Sequence, residues 1–269
     1  MSTIIKPERT VTPPPPDNPW YYGFREVYRE QPDGSTKYER LPLTLEDALH
    51  PQEGDKIMVS DLHDLVRDYL SMVCRWRTAD DPTALILSDT GIYWEDPNVD
   101  FAHHCPDLAA IFGIKNRKPE YSSFFCGKEG LRPKLIIELV SPNTRKNDVV
   151  TKVDHYHQVE VPVYVVADRH KLGDPWTLYG YQWRPDAYVP MTPDANGRLW
   201  LEAVDLWLGA DGTRLICYDR NGVQIGTYLD IQKQLEAEKQ RAEAEKQRAE
   251  TAEAKTRELE AELERLRNK

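Results

Sequence analysis

Apolar residues in this chain fall into short runs, and the clearest pair of runs frames a predicted helix. One apolar run covers residues 135–140 and another covers residues 161–167, while the segment between them, residues 146–159, is compatible with a helix. Short runs rich in Val, Ile and Tyr are typical of buried strands. The pattern therefore predicts a strand, a turn, a helix and a second strand in succession.

A second helix and several more strands are predicted elsewhere. Residues 61–76 repeat apolar side chains at helical spacing, Ser60 is suited to cap that helix, and a shorter helix is predicted over residues 43–49. The apolar face predicted for the longer helix consists of Leu62, Leu65, Val66, Tyr69, Val73 and Trp76. Strands are predicted over residues 20–28, 37–41, 85–87, 91–94, 107–114, 178–184 and 188–189. Residues 115–133 are polar and contain Gly, which predicts a long surface connection.

The two ends of the chain differ from its middle. Residues 1–18 are polar and Pro-rich, which predicts an extended, disordered segment. Residues 229–269 contain no Gly or Pro and repeat the heptad EAEKQRA, which predicts one long helix. Two interpretations of that helix stay open: a coiled coil through which copies of the chain associate, or a solvated single helix stabilised by charge pairs one turn apart. Residues 19–228 are then the predicted globular domain.

The net charge of −10 belongs almost entirely to the globular part, because residues 229–269 nearly balance acidic and basic side chains. Phosphate contacts need Lys and Arg, so this balance disfavours a non-specific nucleic-acid-binding protein. It remains compatible with a nuclease, because a carboxylate-rich metal site is itself acidic before a cation binds.

Cysteine usage and hydropathy predict a cytoplasmic protein. The four cysteines are scattered without a CxxC pair, which favours reduced thiols over disulfides. A zinc site at His103, His104 and Cys105 is disfavoured because no second cluster has matching spacing. No apolar run has the length of a membrane span, and the N terminus lacks an apolar signal core, so no membrane association or export is expected.

Glu138 is the residue that first calls for a chemical explanation. It lies in the middle of a predicted buried strand, where a carboxylate is costly unless it is paired or bound to a metal. Asp107, which follows Pro106, opens another predicted strand, and Lys152 lies on the helix that follows Glu138. Simpler interpretations stay open: Glu138 on an edge strand facing water, Asp107 as a strand-entry residue, and Lys152 in a helical ion pair with Asp148.

The order of these motifs resembles the PD-(D/E)xK nucleases and, within them, the Uma2 (DUF820) family. The pieces that carry the resemblance span roughly residues 40–190 and are Pro106-Asp107, the segment 138–142, then Asp148, Lys152 and Tyr156 on the helix, then the segment 163–168. The superfamily pattern places a lysine two residues after the glutamate, where this chain has Val140. In Uma2-like proteins the following helix supplies the lysine, which here corresponds to Lys152.

The resemblance implies both a fold and an activity. The fold would be a restriction-endonuclease-like mixed β-sheet flanked by helices, of the α+β class, with the long C-terminal helix added. The activity would be Mg²⁺-dependent or Mn²⁺-dependent hydrolysis of phosphodiester bonds in DNA. Asp107, Glu138 and the peptide carbonyl of Leu139 would bind the metal, and Lys152 would complete the catalytic set.

Four further residues are candidates for accessory roles, namely His63, Asp64, Asp148 and Tyr156. His63 and Asp64 begin a helix that in the resembled family can carry a polar residue near the site; the alternative is that both are surface residues. A second function also stays open. The chain would then be a non-catalytic protein that uses the same fold for binding and oligomerises through residues 229–269.

Overall fold

The computed structural model describes residues 22–44, 47, 52, 55–57, 61–140, 145, 147–169 and 173–268. The Pro-rich segment 1–18 and the Ser60 cap lie outside the described residues, as does most of the helix predicted over residues 43–49.

Strands account for most of the regular structure in the described part of the chain before residue 226. They are β1 Gly23–Glu30, β2 Thr36–Pro42, β3 Asp55–Ile57, β4 Leu85–Leu87, β5 Gly91–Tyr93, β6 His103–His104, β7 Leu108–Ile111, β8 Ser123–Phe125, β9 Leu135–Leu139, β10 Val163–Asp168, β11 Thr177–Gln182, β12 Val189–Pro190, β13 Leu199–Leu201, β14 Leu206–Asp211, β15 Arg214–Tyr218 and β16 Gln224–Ile225. The helices are α1 Asp61–Arg77, α2 Cys126–Glu129, α3 Lys152–Gln158 and α4 Tyr228–Arg267, with a π-helical turn at Asn147–Thr151 and a 3₁₀ turn at Glu202–Val204.

The centre of the fold is a mixed sheet in the order β12-β11-β10-β9-β7-β4. Strands β9 and β10 are parallel, whereas β7 and β11 run antiparallel to their neighbours. Parallel strands cannot be joined by a hairpin, and here the connection contains the π-helical turn and α3. Strand β9, which carries Glu138, therefore lies inside the sheet between β10 and β7.

Smaller sheets surround the central one. Strands β1, β2 and β3 form one, β13 to β16 form another, and β5 lies between β6 and β8 in a third. Strands β1 and β2 pair antiparallel, as do β11 and β12, and each of these strands falls on a strand predicted from the sequence. Strands β4 and β5 are close in sequence but belong to different sheets.

The core has two parts, one on each face of the central sheet. Alternate residues of β9 divide between them: Leu135, Ile137 and Leu139 pack with α1 and with β13 to β15, whereas Ile136 and Val140 pack with Tyr156 and Val159. Because successive strand side chains point to opposite faces, Glu138 shares the face of Ile136 and Val140. Glu138 thus lies beneath the helical connection.

Several sequence-based boundaries need correction. The predicted surface connection over residues 115–133 contains β8 and α2, and the strand predicted over 107–114 is shorter, covering Leu108–Ile111. Within the helix predicted over residues 146–159, Asn147–Thr151 form a π-helical turn and α3 ends at Gln158.

The apolar face predicted for α1 is also partly wrong. Leu65 and Trp76 are 65% and 59% exposed, whereas His63 and Leu70 are buried. The helix packs on the sheet through a face rotated from the predicted one, and this rotation brings His63 into the interior.

The long C-terminal helix is confirmed as α4. Thr227 and Asp230 form a reciprocal capping box at its start. The chain divides into two compact units, Met1–Ile225 and Gly226–Lys269. The central mixed sheet with its helices, together with α4, confirms the predicted α+β fold class. Within the described residues, no helix combines the length and apolar character needed to cross a bilayer.

Candidate active site

Two carboxylates lie on neighbouring strands of the central sheet. Asp107 immediately precedes β7, Glu138 lies in β9, and Leu108 is paired with Ile137 in the antiparallel ladder. The register brings the two residues together: the backbone N–H of Asp107 is 3.5 Å from Oε2 of Glu138, and Oδ2 of Asp107 accepts a hydrogen bond of 2.8 Å from the backbone N–H of Leu139. Glu138 is buried, so the edge-strand interpretation is wrong.

Lys152 meets the site from the helical side. Its Nζ lies 2.9 Å from Oε1 of Glu138 and 2.8 Å from Oδ1 of Asp148. The hydroxyl of Tyr156 donates a hydrogen bond of 2.8 Å to the same Oε1 of Glu138. The turn before α3 and the helix itself thus direct Asp148, Lys152 and Tyr156 toward one carboxylate.

Val140 follows Glu138 by two residues and lies in apolar surroundings. Val140 is fully buried in the apolar cluster on the same face as Glu138. An ammonium group at position 140 would start within that apolar packing. Lys152 instead brings its amine to Glu138 across the interface between helix and sheet.

His63 joins the site, whereas Asp64 does not join it through its described contacts. Nε2 of His63 lies 2.7 Å from Oδ1 of Asp107, and both side chains are mostly buried. Asp64 is half-exposed and pairs with Arg67 at 3.0 Å. Neighbouring residues on a helix point about 100° apart, which lets His63 face the interior while Asp64 stays half-exposed. The surface interpretation is therefore wrong for His63 and describes Asp64.

Burial and pairing act against each other on the ionisation of the site. Burial raises the pKa of Glu138 to about 8, although the charge of Lys152 opposes this shift. Burial has the same tendency at Asp107, but the hydrogen bond and charge of His63 outweigh it and lower the pKa of Asp107. Burial disfavours the charged amine of Lys152, yet Asp148 and Glu138 together raise its pKa above the ordinary value.

The donor chemistry fits a hard divalent cation that keeps part of its hydration shell. In the described part of the chain, no group of three or more His, Cys, Asp or Glu side chains is arranged to hold a metal ion. Mg²⁺, however, commonly uses only one or two carboxylates together with water and substrate oxygens. Asp107 and Glu138 supply such a pair, and a bound cation would offset the burial that raises the pKa of Glu138.

Two features of the site were missed by sequence reasoning. The hydroxyl of buried Tyr164 donates to the backbone carbonyl of Asp148 at 2.8 Å. The guanidinium of Arg145 binds Asp168 through Nε at 3.0 Å and Nη2 at 2.6 Å. Tyr164 could be found from strand alternation, because side chains two residues apart on a strand share a face. In β10, Tyr164 pairs with Ile136 and Val166 pairs with Glu138, so Tyr164 lies on the face of the sheet that carries Glu138.

The fold and the site together define an α+β protein with a carboxylate–lysine site on a mixed central sheet. This chain belongs to the Uma2 family, because the family model described as "Uma2: Putative restriction endonuclease" matches residues 26–206. Membership in this family supports a nuclease function.

The other comparisons add little to the family match. The solved structure of "a putative nuclease belonging to DUF820 from Anabaena variabilis ATCC 29413" is 16% identical to this chain. The match covers 61% of this chain and 91% of that chain, with a TM-score of 0.42. No curated protein matches the chain significantly.

Proposed function

We propose that this protein is a metal-dependent DNA endonuclease that hydrolyses phosphodiester bonds at the site formed by Asp107, Glu138 and Lys152. One observation carries the proposal: the Lys152 amine lies 2.9 Å from Glu138, and the mostly buried carboxylate of Asp107 lies next to Glu138 at the start of the neighbouring strand. Buried charges on strands and helices are costly, so their convergence on one point favours a chemical role over a purely structural one.

Asp107, Glu138 and the peptide carbonyl of Leu139 are the groups that would hold Mg²⁺ or Mn²⁺. A divalent cation supplies charge stabilisation for the phosphate and lowers the pKa of bound water. The protein's part is to keep these oxygen donors together in a buried, preorganised setting. The hydrogen bond from the Leu139 N–H to Asp107 fixes the carboxylate relative to the strand that carries Glu138.

Lys152 would stabilise the negative charge that builds on the phosphate during hydrolysis. Its contacts with Glu138 and Asp148 hold the amine in place before substrate arrives, so little reorganisation is needed at the moment of reaction. Tyr156 also restrains Glu138, because its hydroxyl donates to the same oxygen, Oε1, that Lys152 contacts. His63 would hold Asp107 from α1.

The substrate class is tested by offering several substrates to the wild-type protein. Supercoiled plasmid DNA and a structured RNA would be incubated with Mg²⁺, with Mn²⁺ or with EDTA. We expect nicking or linearisation of DNA in either metal and none in EDTA. Cleavage of RNA alone, or of neither nucleic acid in either metal, would contradict the proposal.

We further propose that copies of the chain associate through α4. Leu259, Leu263 and Leu266 recur at helical spacing and are 52%, 60% and 64% exposed, so they form an exposed apolar stripe on α4. Sedimentation of the wild type and of a Leu259→Glu, Leu263→Glu variant would test this. A dimer or higher oligomer that the variant loses is expected, and a monomeric wild type at high concentration would contradict it.

A further inference from the structure

Two histidines join the strand that leads into Asp107 to the helix that carries Lys152. His104 ends β6, three residues before Asp107, and His155 lies in α3, three residues after Lys152. Nε2 of His104 lies 3.0 Å from Nδ1 of His155. This contact is separate from the hydrogen bonds given above for Asp107, Glu138 and Lys152.

The neighbouring tryptophan settles which nitrogen carries each proton. The indole Nε1–H of buried Trp94 lies 2.8 Å from Nδ1 of His104, and an indole N–H can only donate. Nδ1 of His104 must therefore accept, which leaves the proton of the neutral ring on Nε2. That proton points to Nδ1 of His155, which accepts in turn. The hydrogen bonds run in one direction from Trp94 through His104 to His155.

Aromatic packing holds both rings in this arrangement. Phe101 stacks on His155 with ring centroids 4.0 Å apart and planes 10° apart. His104 packs against the ring of Tyr156 at a centroid distance of 5.0 Å, and Tyr156 is the residue whose hydroxyl reaches Glu138. The contact between the two histidines thus lies beside the face of α3 from which Tyr156 reaches Glu138.

We propose that His104 and His155 are positioning residues, whose hydrogen bond holds α3 against β6 and so keeps Lys152 and Tyr156 on Glu138. The effect of this hydrogen bond on turnover rests on the proposed nuclease function. The hydrogen-bonded chain itself is a property of the folded protein and is measurable without substrate.

The experiment compares two substitutions of His155 that differ in one acceptor. Asn places its side-chain oxygen close to the position of Nδ1 in His, so His155→Asn keeps an acceptor for the N–H of His104, whereas His155→Leu removes it. We expect His155→Leu to lower kcat about tenfold or more with a smaller change in KM, because misplacing a catalytic group is costly. His155→Asn should recover most of the rate. Gln158→Leu, on the exposed side of the same helix, is the control for placing leucine in α3.

Two readouts do not depend on activity. Nitrogen-15 NMR of the histidine rings should find the proton on Nε2 of both His104 and His155 at neutral pH. Hydrogen exchange of the α3 amides should be faster in His155→Leu than in the wild type, His155→Asn or Gln158→Leu.

The possible outcomes distinguish the positioning role of the two histidines from the proposed nuclease function. A proton on Nδ1 of either ring, or equal α3 exchange in the Leu and Asn variants, would overturn the positioning pair. Equal kcat values for His155→Leu and His155→Asn, measured beside an active wild type, would overturn it as well. An inactive wild type would remove the proposed nuclease function, and the NMR and exchange results would still decide the pair.

Discussion

The chemistry of the candidate site depends on a few charged side chains that are mostly buried between α3 and the central sheet. Glu138, Asp148 and Lys152 are each mostly withdrawn from water, and the Lys152 amine lies within hydrogen-bonding distance of both carboxylates. In such a place an ammonium group offsets two carboxylates at once, and its removal leaves both uncompensated. Lys152 is therefore the residue at which a substitution should separate metal binding from turnover.

We predict that Lys152→Met lowers turnover by about 10²-fold or more while metal affinity changes much less, because the charge acts as the transition state forms. Lys152→Arg should recover little, since a planar guanidinium does not reproduce a compact ammonium. Single-turnover cleavage and calorimetric metal titration measure the two effects, and circular dichroism checks folding. Lys115→Met, at an exposed lysine, is the matched control. Full activity of Lys152→Met would shift the role to another cation such as Arg145.

A second prediction concerns the metal itself. Asp107→Asn keeps the size of the side chain but loses its charge, so Mg²⁺ or Mn²⁺ should bind at least about tenfold more weakly. Isothermal titration of the wild type, Asp107→Asn and the exposed-site control Asp80→Asn measures this. Equal affinity in all three proteins would remove Asp107 from the metal site.

A third prediction follows from the pair of His63 and Asp107. Burial disfavours the charged imidazole, but the hydrogen bond and charge of Asp107 outweigh burial and raise the pKa of His63 above its ordinary value of 6.5. A raised folded-state pKa stabilises the protein below the unfolded value, and that stabilisation is lost as pH rises through the folded pKa.

Urea unfolding of the wild type and His63→Gln, from about pH 5.5 upward, measures this dependence. The stability advantage of the wild type over His63→Gln should shrink as pH rises. Parallel pH profiles for the two proteins would show that folding does not raise the pKa of His63 through its contact with Asp107.

Much of the site could be predicted from residue order, and the rest depends on packing. Glu138 stands out because it interrupts an apolar run, Asp107 because it opens one, and Lys152 because of the order of motifs that resembles the family. The burial of His63 could not be predicted, because helical spacing alone placed Leu65 on the inner face and the packing angle of α1 decided otherwise. The contact of His104 with His155 joins residues 51 positions apart, and no local pattern encodes such a pairing.

At the scale of elements, the connection between β9 and β10 positions Asp148, Lys152 and Tyr156 near Glu138. It contains a π-helical turn over Asn147–Thr151, which α3 follows from Lys152 onward. A π-helical turn holds more residues per turn than an α-helix, so it changes which side chains face the sheet. The sequence predicted a helix here correctly but not the π-helical turn, since propensities do not distinguish the two forms.

The element best predicted from sequence is α4, because the absence of Gly and Pro and the repeated heptads leave little alternative to a helix. We predict that residues 1–227 fold without it. A chain ending at Thr227 keeps β16, whose Ile225 carbonyl accepts a hydrogen bond from Tyr69. Its thermal unfolding should remain a single cooperative transition with a midpoint close to that of the full chain. Loss of the transition would show that α4 is required for folding of the rest.

At the scale of the whole molecule, a strongly acidic chain is proposed to act on a polyanion. The net charge is −10, so long-range attraction does not favour DNA. A divalent cation bound by Asp107 and Glu138 would neutralise these two carboxylates locally, where phosphate must approach. The account therefore makes activity depend on the metal and on its carboxylate ligands together.

The most direct measurement is cleavage of supercoiled plasmid DNA by the wild type, Glu138→Ala and Glu120→Ala in Mg²⁺, with EDTA as a further arm. Glu120 is exposed and serves as the matched control. The account predicts similar cleavage by the wild type and Glu120→Ala, a rate at least about 10²-fold lower for Glu138→Ala, and none in EDTA. Cleavage by Glu138→Ala at the wild-type rate, or cleavage that persists in EDTA, would contradict it.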